Sequence, residues 1–230
     1  MNLMENLNSK IWLSSSKLNL FQECPLCFWL SEVKGVHRPQ GPFSSLPNGL
    51  DRLIKEYFDK YRVLGKVPPE LEGKVEGKPF SDQALMDKWR NWKTGLSYTD
   101  DVLNAVLFGA LDECFVKGDY YIPVDYKTRG FDLKEDSTSY YQTQLDCYTL
   151  LLEKCGYPTP SFGYLIYYIP QKVEENGLIK FRIEPQKMET NSQRAYEVFA
   201  KALQLIANPA PASHSGCQFC SWGNDFPDFE

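Results

Sequence analysis

Hydrophobic and polar positions follow two different periods along this chain. In LPNGLDRLIKEYFDKYRVL the apolar residues Leu50, Leu53, Ile54, Tyr57, Phe58 and Tyr61 recur at helical spacing, which predicts an amphipathic helix. Residues 14–31, SSSKLNLFQECPLCFWLS, open with serines suited to capping, and Leu18, Phe21 and Cys24 share one helical face. SDQALMDKWRNWKTG predicts a further helix, with Ser81 as N-cap and Gly95 as stop. The pattern then changes to strands at 105–116, 120–128, 161–169 and 178–184. Between the second and third of these, YYQTQLDCYTLLLEKCG reads as a helix with Tyr141, Leu145, Tyr148 and Leu152 on its apolar face. A last helix spans about 190–207, while 35–48 and 65–79 read as loop and flexible connection. Helices, strand hairpin, helix, strands, helix and tail make an α/β plan around a short mixed sheet.

The hairpin contains a conflict. Two apolar runs in GALDECFVKGDYYIPVDYKT flank Gly118-Asp119, a two-residue turn signal. If that turn closes the hairpin, Lys117 faces Tyr120 and Asp112 faces Asp125. Directly opposed side chains lie about 5 Å apart, and like charges there repel. Asp125 and Lys127 share a strand face, so Asp112, Asp125 and Lys127 converge on one patch. A hard divalent cation between the carboxylates would relieve the repulsion, with the lysine facing an anionic substrate or an attacking water. The alternative is a surface ion pair of Asp112 with Lys127 and a solvated Asp125.

Composition bounds the setting. The chain has 230 residues, 43% of them hydrophobic and 14% aromatic, enough for one domain with a substantial core. No apolar run reaches a membrane span and MNLMENLNSK is no signal peptide, so a cytoplasmic protein without membrane association is expected. The net charge of −5 argues against tight nonspecific binding of nucleic acid, a local basic groove aside. Reduced, buried or metal-bound cysteines are expected in such a compartment. Cys24-Pro-Leu-Cys27 and Cys217-Gln-Phe-Cys220 are two C-x-x-C units near the two ends, a signal for a four-sulfur site. Neither follows a strand as a redox motif would, and Cys114, Cys147 and Cys155 read as core residues. His37 and His214 lie close enough in sequence to substitute as ligands.

The run GALDECF resembles the G-x-x-D strand of RecB-like nucleases in the PD-(D/E)xK superfamily, VDYKT resembles their (D/E)-x-K strand, and Gln144 to Tyr148 resembles their Q-x-x-x-Y helix motif. The resemblance implies a restriction-endonuclease-like core spanning 101–207, a mainly helical part before it and a cysteine-bearing tail at 208–230 packing on residues 20–30. It implies a Mg²⁺- or Mn²⁺-dependent deoxyribonuclease, with metal on Asp112, Asp125 and the Tyr126 carbonyl, Lys127 catalytic, and Gln144 and Tyr148 in support. Many relatives carry a further metal-binding histidine on an upstream helix; here Asp51 or Glu56 would have to replace it. SSSKLNLFQECPLCFWL is similar to the opening of the iron–sulfur exonucleases of CRISPR spacer acquisition and of the AddB type. That similarity implies DNA ends or single strands as substrate, partners in repair or CRISPR defence, and a [4Fe–4S] cluster. The cysteine pattern departs from theirs: the final position falls near Phe226, and Cys27 appears at the front. Two-plus-two thiolates suit Zn²⁺ as well as a cluster. Trp89 and Trp92, beside Arg90 and Lys93, would stack single-stranded bases or lie in the core. The competing function is a catalytically inactive, metal-stapled module for nucleic-acid binding or complex assembly.

Overall fold

The computed structural model describes residues 10–41 and 45–225. A short strand, β1 (Ile11–Ser14), runs into α1 (Ser15–Glu23), whose first turn is capped by the Ser14 hydroxyl accepting from the Lys17 N–H. Where the sequence predicts one helix over 14–31 there are two. Pro25 disfavours helical backbone at Cys24, which is extended at φ −155°, and Pro25 then starts α2 (Pro25–Trp29). The amphipathic helix forms as expected as α3 (Ser45–Leu64), burying Ile54, Phe58 and Arg62. The connection after it is anchored by a fully buried Leu71 and adds a two-residue edge strand, β2 (Lys78–Pro79).

Asp82, not Ser81, caps α4 (Gln83–Arg90), its carboxylate accepting from the Leu85 N–H at 2.9 Å. That helix ends at Arg90, before Gly95, and β3 (Leu96–Asp100) follows without having been predicted. The expected strand 105–116 is split into β4 (Ala105–Gly109) and β5 (Glu113–Lys117), which belong to different sheets. The chain continues through β6 (Tyr120–Thr128), α5 (Gln142–Lys154), β7 (Phe162–Val173), β8 (Ile179–Glu189), α6 (Ser192–Ile206) and α7 (Gln218–Asp225). Tyr141 precedes α5 in a 3₁₀ turn and is not on its apolar face. No helix among the described residues is long and apolar enough to cross a membrane.

Two sheets result, β1-β4-β3 and β2-β5-β6-β7-β8. In the larger sheet β5 and β6 are antiparallel, while β6 and β7 are parallel and joined through α5. Gly118 takes φ +59° in the β5–β6 turn, a conformation that glycine adopts without steric cost, and Lys117 pairs with Tyr120 as predicted. Ile122, Val124 and Tyr126 alternate toward α3, where Phe58 and Phe115 stack at 6.4 Å. The opposite face is covered by α5, itself packed against α1 and α6 and buried along nearly its whole length.

Under α3 the packing is ionic as well as apolar. Glu113 is fully buried, and both of its oxygens accept from the Arg62 Nη2, at 2.8 and 2.6 Å. Arg90 Nη2 at 3.0 Å and the Tyr126 hydroxyl at 3.1 Å donate to the same carboxylate. Asp59 accepts from the other side of Arg90 at 2.8 Å. With every member paired, the network ties α3, α4, β5 and β6 together. Removing one member strands buried charge, so Glu113→Ala is expected to cost about 3–5 kcal/mol. Urea unfolding of that variant checks this; a loss under about 1 kcal/mol would show that the buried charges do not depend on one another.

Candidate active site

Asp112 lies just ahead of β5, and Asp125 sits in β6 on the face turned toward α5. The paired residues Glu113 and Val124 carry the hairpin register up to them, so the two carboxylates oppose each other as the turn predicts. The backbone N–H of Tyr126 donates to Asp112 Oδ2 at 3.4 Å. Arg90 Nε donates to the Asp112 carbonyl at 2.8 Å, connecting the site to the Glu113 network. The alternative of a surface pair between Asp112 and Lys127 is not what forms. Lys127 is instead the ion-pair partner of Asp125, which is only 1% exposed, while Asp112 pairs with Lys55 at 2.8 Å.

Gln144 organises this arrangement from the first turn of α5. Its Oε1 accepts from Lys127 Nζ at 3.0 Å, and its Nε2 donates to Asp125 Oδ1 at 2.9 Å and to the Tyr148 hydroxyl at 2.8 Å. Spacing of four places Gln144 and Tyr148 on one helix face. The face of Tyr141 lies 4.4 Å from Lys127 Nζ, a cation–π contact that fixes the ammonium from another side. Gly109 at the end of β4 leaves room for this: a Cβ there would lie 3.3 Å from the Tyr148 ring.

The electrostatics favour a cation. Burial, then the nearby Asp112 charge, push Asp125 up to about 8, outweighing the opposing pull of Lys127. Its Oδ2 touches Lys127 but makes no hydrogen bond of normal geometry. An oxygen buried without that partner, beside a second carboxylate, suits a hard divalent ion. Burial also raises the Tyr148 hydroxyl far above its usual range, so it stays neutral.

Sequence reasoning missed Lys55, Arg90 and the placement of Tyr141 against Lys127. The signal for the first lay in the run Asp51, Lys55, Asp59, Arg62 at spacings of four and three along α3. Asp51 reaches the site only through Lys55, at 2.8 Å, and Glu56 is turned outward to Arg52. Trp89 is buried core, whereas Trp92 is 72% exposed.

Cys24, Cys27, Cys217 and Cys220 come together, all buried, with every sulfur within 4.8 Å of the others. Observed separations are 3.5 Å for Cys24–Cys220, 3.7 Å for Cys27–Cys217 and 4.0 Å for Cys27–Cys220. Arg38 donates to Cys217 Sγ at 3.3 Å. Burial pushes Cys27 up to about 12. In Cys217 burial is overcome by the Cys220 backbone N–H and the neighbouring thiols, which pull it down to about 6. His37 bonds Ser31 instead, and His214 meets the Cys217 N–H through its backbone carbonyl. Cys114 and Cys147 are core as expected, Cys155 is exposed, and Phe226 lies outside the described residues.

The family model for the PD-(D/E)XK nuclease superfamily matches residues 80–224. No curated protein matches the chain. The crystal structure of SSO0001 is similar over 97% of this chain and 90% of that one, at 14% identity and a TM-score of 0.45, too distant a likeness to bear on activity.

The raised Asp125 carboxyl has a consequence for pH. Between its unfolded value near about 4 and its folded value of about 8, the folded state holds a proton that the unfolded chain has released. Its contribution is therefore full below about pH 4 and is lost as pH rises to about 8. For the protein without divalent metal at the aspartates, the urea midpoint is expected to fall from about pH 5 to pH 8 more steeply than that of Asp125→Asn. Parallel profiles for the two proteins would show that Asp125 is ionised throughout.

Proposed function

The chain belongs to the PD-(D/E)XK nuclease superfamily, and on that premise we propose that it is a metal-dependent DNA nuclease of the RecB-like kind, acting on DNA ends or single strands. The observation that carries this is the closed set of contacts among Asp125, Lys127, Gln144 and Tyr148 beside Asp112. The side chains that meet there come from β6, α5 and the residue just ahead of β5, and this supports a metal-binding and charge-stabilising role in phosphodiester hydrolysis.

Asp112 and Asp125, with the Tyr126 carbonyl, would hold Mg²⁺ or Mn²⁺, which when bound polarises a phosphoryl oxygen and acidifies water. Lys127 is fixed by Asp125, Gln144 and the Tyr141 ring, so its ammonium is oriented before substrate arrives. In that position it donates to the attacking water or to the developing charge on phosphate. Gln144 holds Asp125 and Lys127 in one geometry through opposite ends of a single amide, and Tyr148 fixes which end faces which. Exposed Trp92, with Lys93 Nζ 5.2 Å from its ring, is the better candidate for stacking a single-stranded base. An exonuclease serving repair, recombination or CRISPR-type defence is the role we assign, in the reducing cytoplasm that unbridged cysteines suit.

For the cysteine site we propose a single tetrahedral ion, Zn²⁺ first, in preference to a [4Fe–4S] cluster. Four thiolates at about 2.3 Å from one ion sit roughly 3.8 Å from each other. Three of the separations, 3.5, 3.7 and 4.0 Å, lie near that figure, and all the sulfurs fall within 4.8 Å of one another, which supports one shared ion. The ion would join α7 to the start of α2 and close nearly the whole chain into a loop.

Two experiments follow. End-labelled single- and double-stranded DNA incubated with Mn²⁺ is expected to be cut by the wild type, with Asp125→Ala and Lys127→Ala at least about 10³-fold slower. If no divalent metal supports cutting by the wild type, the protein is a binding module and the nuclease proposal falls. Protein purified anaerobically is expected to be colourless with one zinc per chain, and Cys217→Ser to melt about 10 °C lower. A broad brown absorption would identify a cluster instead.

A further inference from the structure

Hydrolysis of a phosphodiester develops negative charge on both the attacking and the leaving side, and many nucleases meet it with a pair of divalent ions. A protein cation beside a carboxylate supplies part of that positive charge itself. Here each aspartate has one. Lys127 is paired with Asp125 from within β6, and Lys55 reaches Asp112 Oδ1 from α3 at 2.8 Å. Lys55 is held in turn by Asp51 Oδ2, also at 2.8 Å, one helical turn earlier, with the acidic residue N-terminal to the basic one as helices favour.

We propose that Lys55 is the built-in second cation of this site, filling the Asp51–Asp112 position so that the protein takes one divalent ion and not two. The inference rests on the nuclease reading above, and three features of the structure support it. Asp112 divides its oxygens: Oδ1 is engaged by Lys55, while Oδ2 faces the Asp125–Tyr126 strand. Once metal displaces the Asp125 proton, the three carboxylates of Asp51, Asp112 and Asp125 face, among the described residues, the two ammonium groups of Lys55 and Lys127. One divalent ion more than offsets the remaining negative charge, and a second would have to expel an ammonium already paired to both of its carboxylates. Finally, Lys55 is neither a surface lysine nor an inert core one: its side chain is 22% exposed, as is 21% of Asp112, so both border solvent where substrate would enter. Lys55 is thus a positioning and charge-supplying residue acting through Asp112.

The test is a count of ions. Full-length protein with its cysteine site already loaded is titrated calorimetrically with Mn²⁺. Wild type is expected to bind one ion. Lys55→Ala opens Asp51 and Asp112 to metal and is expected to bind two, and adding Asp51→Asn to it returns the count to one. Lys55→Arg keeps a cation in place and is expected to stay at one ion. Urea unfolding of each variant shows that the fold is retained. On labelled DNA, Lys55→Ala is expected to cut about 10²-fold more slowly and Lys55→Arg within about tenfold of wild type. Two ions in the wild type, or one in Lys55→Ala, would overturn the proposal. Asp125→Asn separates this failure from that of the nuclease reading: if it binds Mn²⁺ as the wild type does, the aspartates are not the metal site at all.

Discussion

Everything at the site depends on one enforced proximity: two aspartates held opposite each other at the end of a hairpin, one of them almost completely buried. A lone carboxylate taken out of water would take up a proton, and Asp125 is pushed that way by burial and by Asp112. What keeps the pair from moving apart is not local. The hairpin register is fixed at one end by Gly118 and along its length by alternation, because a slip by one residue would turn Val124 and Tyr126 out of the α3 core. The apolar core therefore holds the two carboxylates together, and a ligand of opposite charge would relieve their repulsion.

The two layers either side of the sheet divide the task. Lys127 and Gln144 come from the strand and helix on the α5 side, and Lys55 comes from α3 on the other. The same helix carries Asp59 and Arg62 to the Glu113 network, so α3 presents charges at two depths: a half-buried pair at the site and a deeper set beneath it. Arg90 joins the two, one nitrogen on the Glu113 carboxylate and another on the Asp112 carbonyl. A network that costs several kcal/mol to break, because each lost member leaves a partner charge buried, gives Asp112 a rigid support that a surface loop would not provide.

The convergence of Asp112, Asp125, Lys127, Gln144 and Tyr148 was legible in the sequence because they sit in or beside elements with strong local signals. Gly118-Asp119 set the register, period two put Asp125 and Lys127 together, and spacing of four joined Gln144 to Tyr148. The convergence of Cys24 and Cys27 with Cys217 and Cys220 was legible from two repeated C-x-x-C units alone. What was not legible depended on partners distant in sequence. β1 and β3 are short and exist as strands because each pairs with β4, so neither announces itself by its own pattern. The strand-like stretch 105–116 concealed a change of sheet, because Ala110 and Leu111 continue the apolar pattern up to Asp112 while the backbone leaves the strand. Lys55 read as the polar face of an amphipathic helix, and only tertiary packing turns that position toward Asp112.

The cysteine site lies apart from the aspartates but is connected to them by α1 and α5. Cys24 ends α1, and Gln22, two residues earlier, accepts a hydrogen bond from Thr143 Oγ1 in the first turn of α5 at 2.6 Å. Gln144 is the next residue. An ion that gathers the thiolates fixes the end of α1, and α1 in turn supports the turn of α5 from which Gln144 reaches Asp125 and Lys127. From Cys24 to Gln144 the path thus runs back two residues along α1, across one hydrogen bond and on by one residue of α5. The first turn of α5 is held from two directions, Thr143 bonding Gln22 of α1 while Gln144 bonds Asp125 and Lys127 of β6, so a change that loosens this turn acts on both sets of contacts.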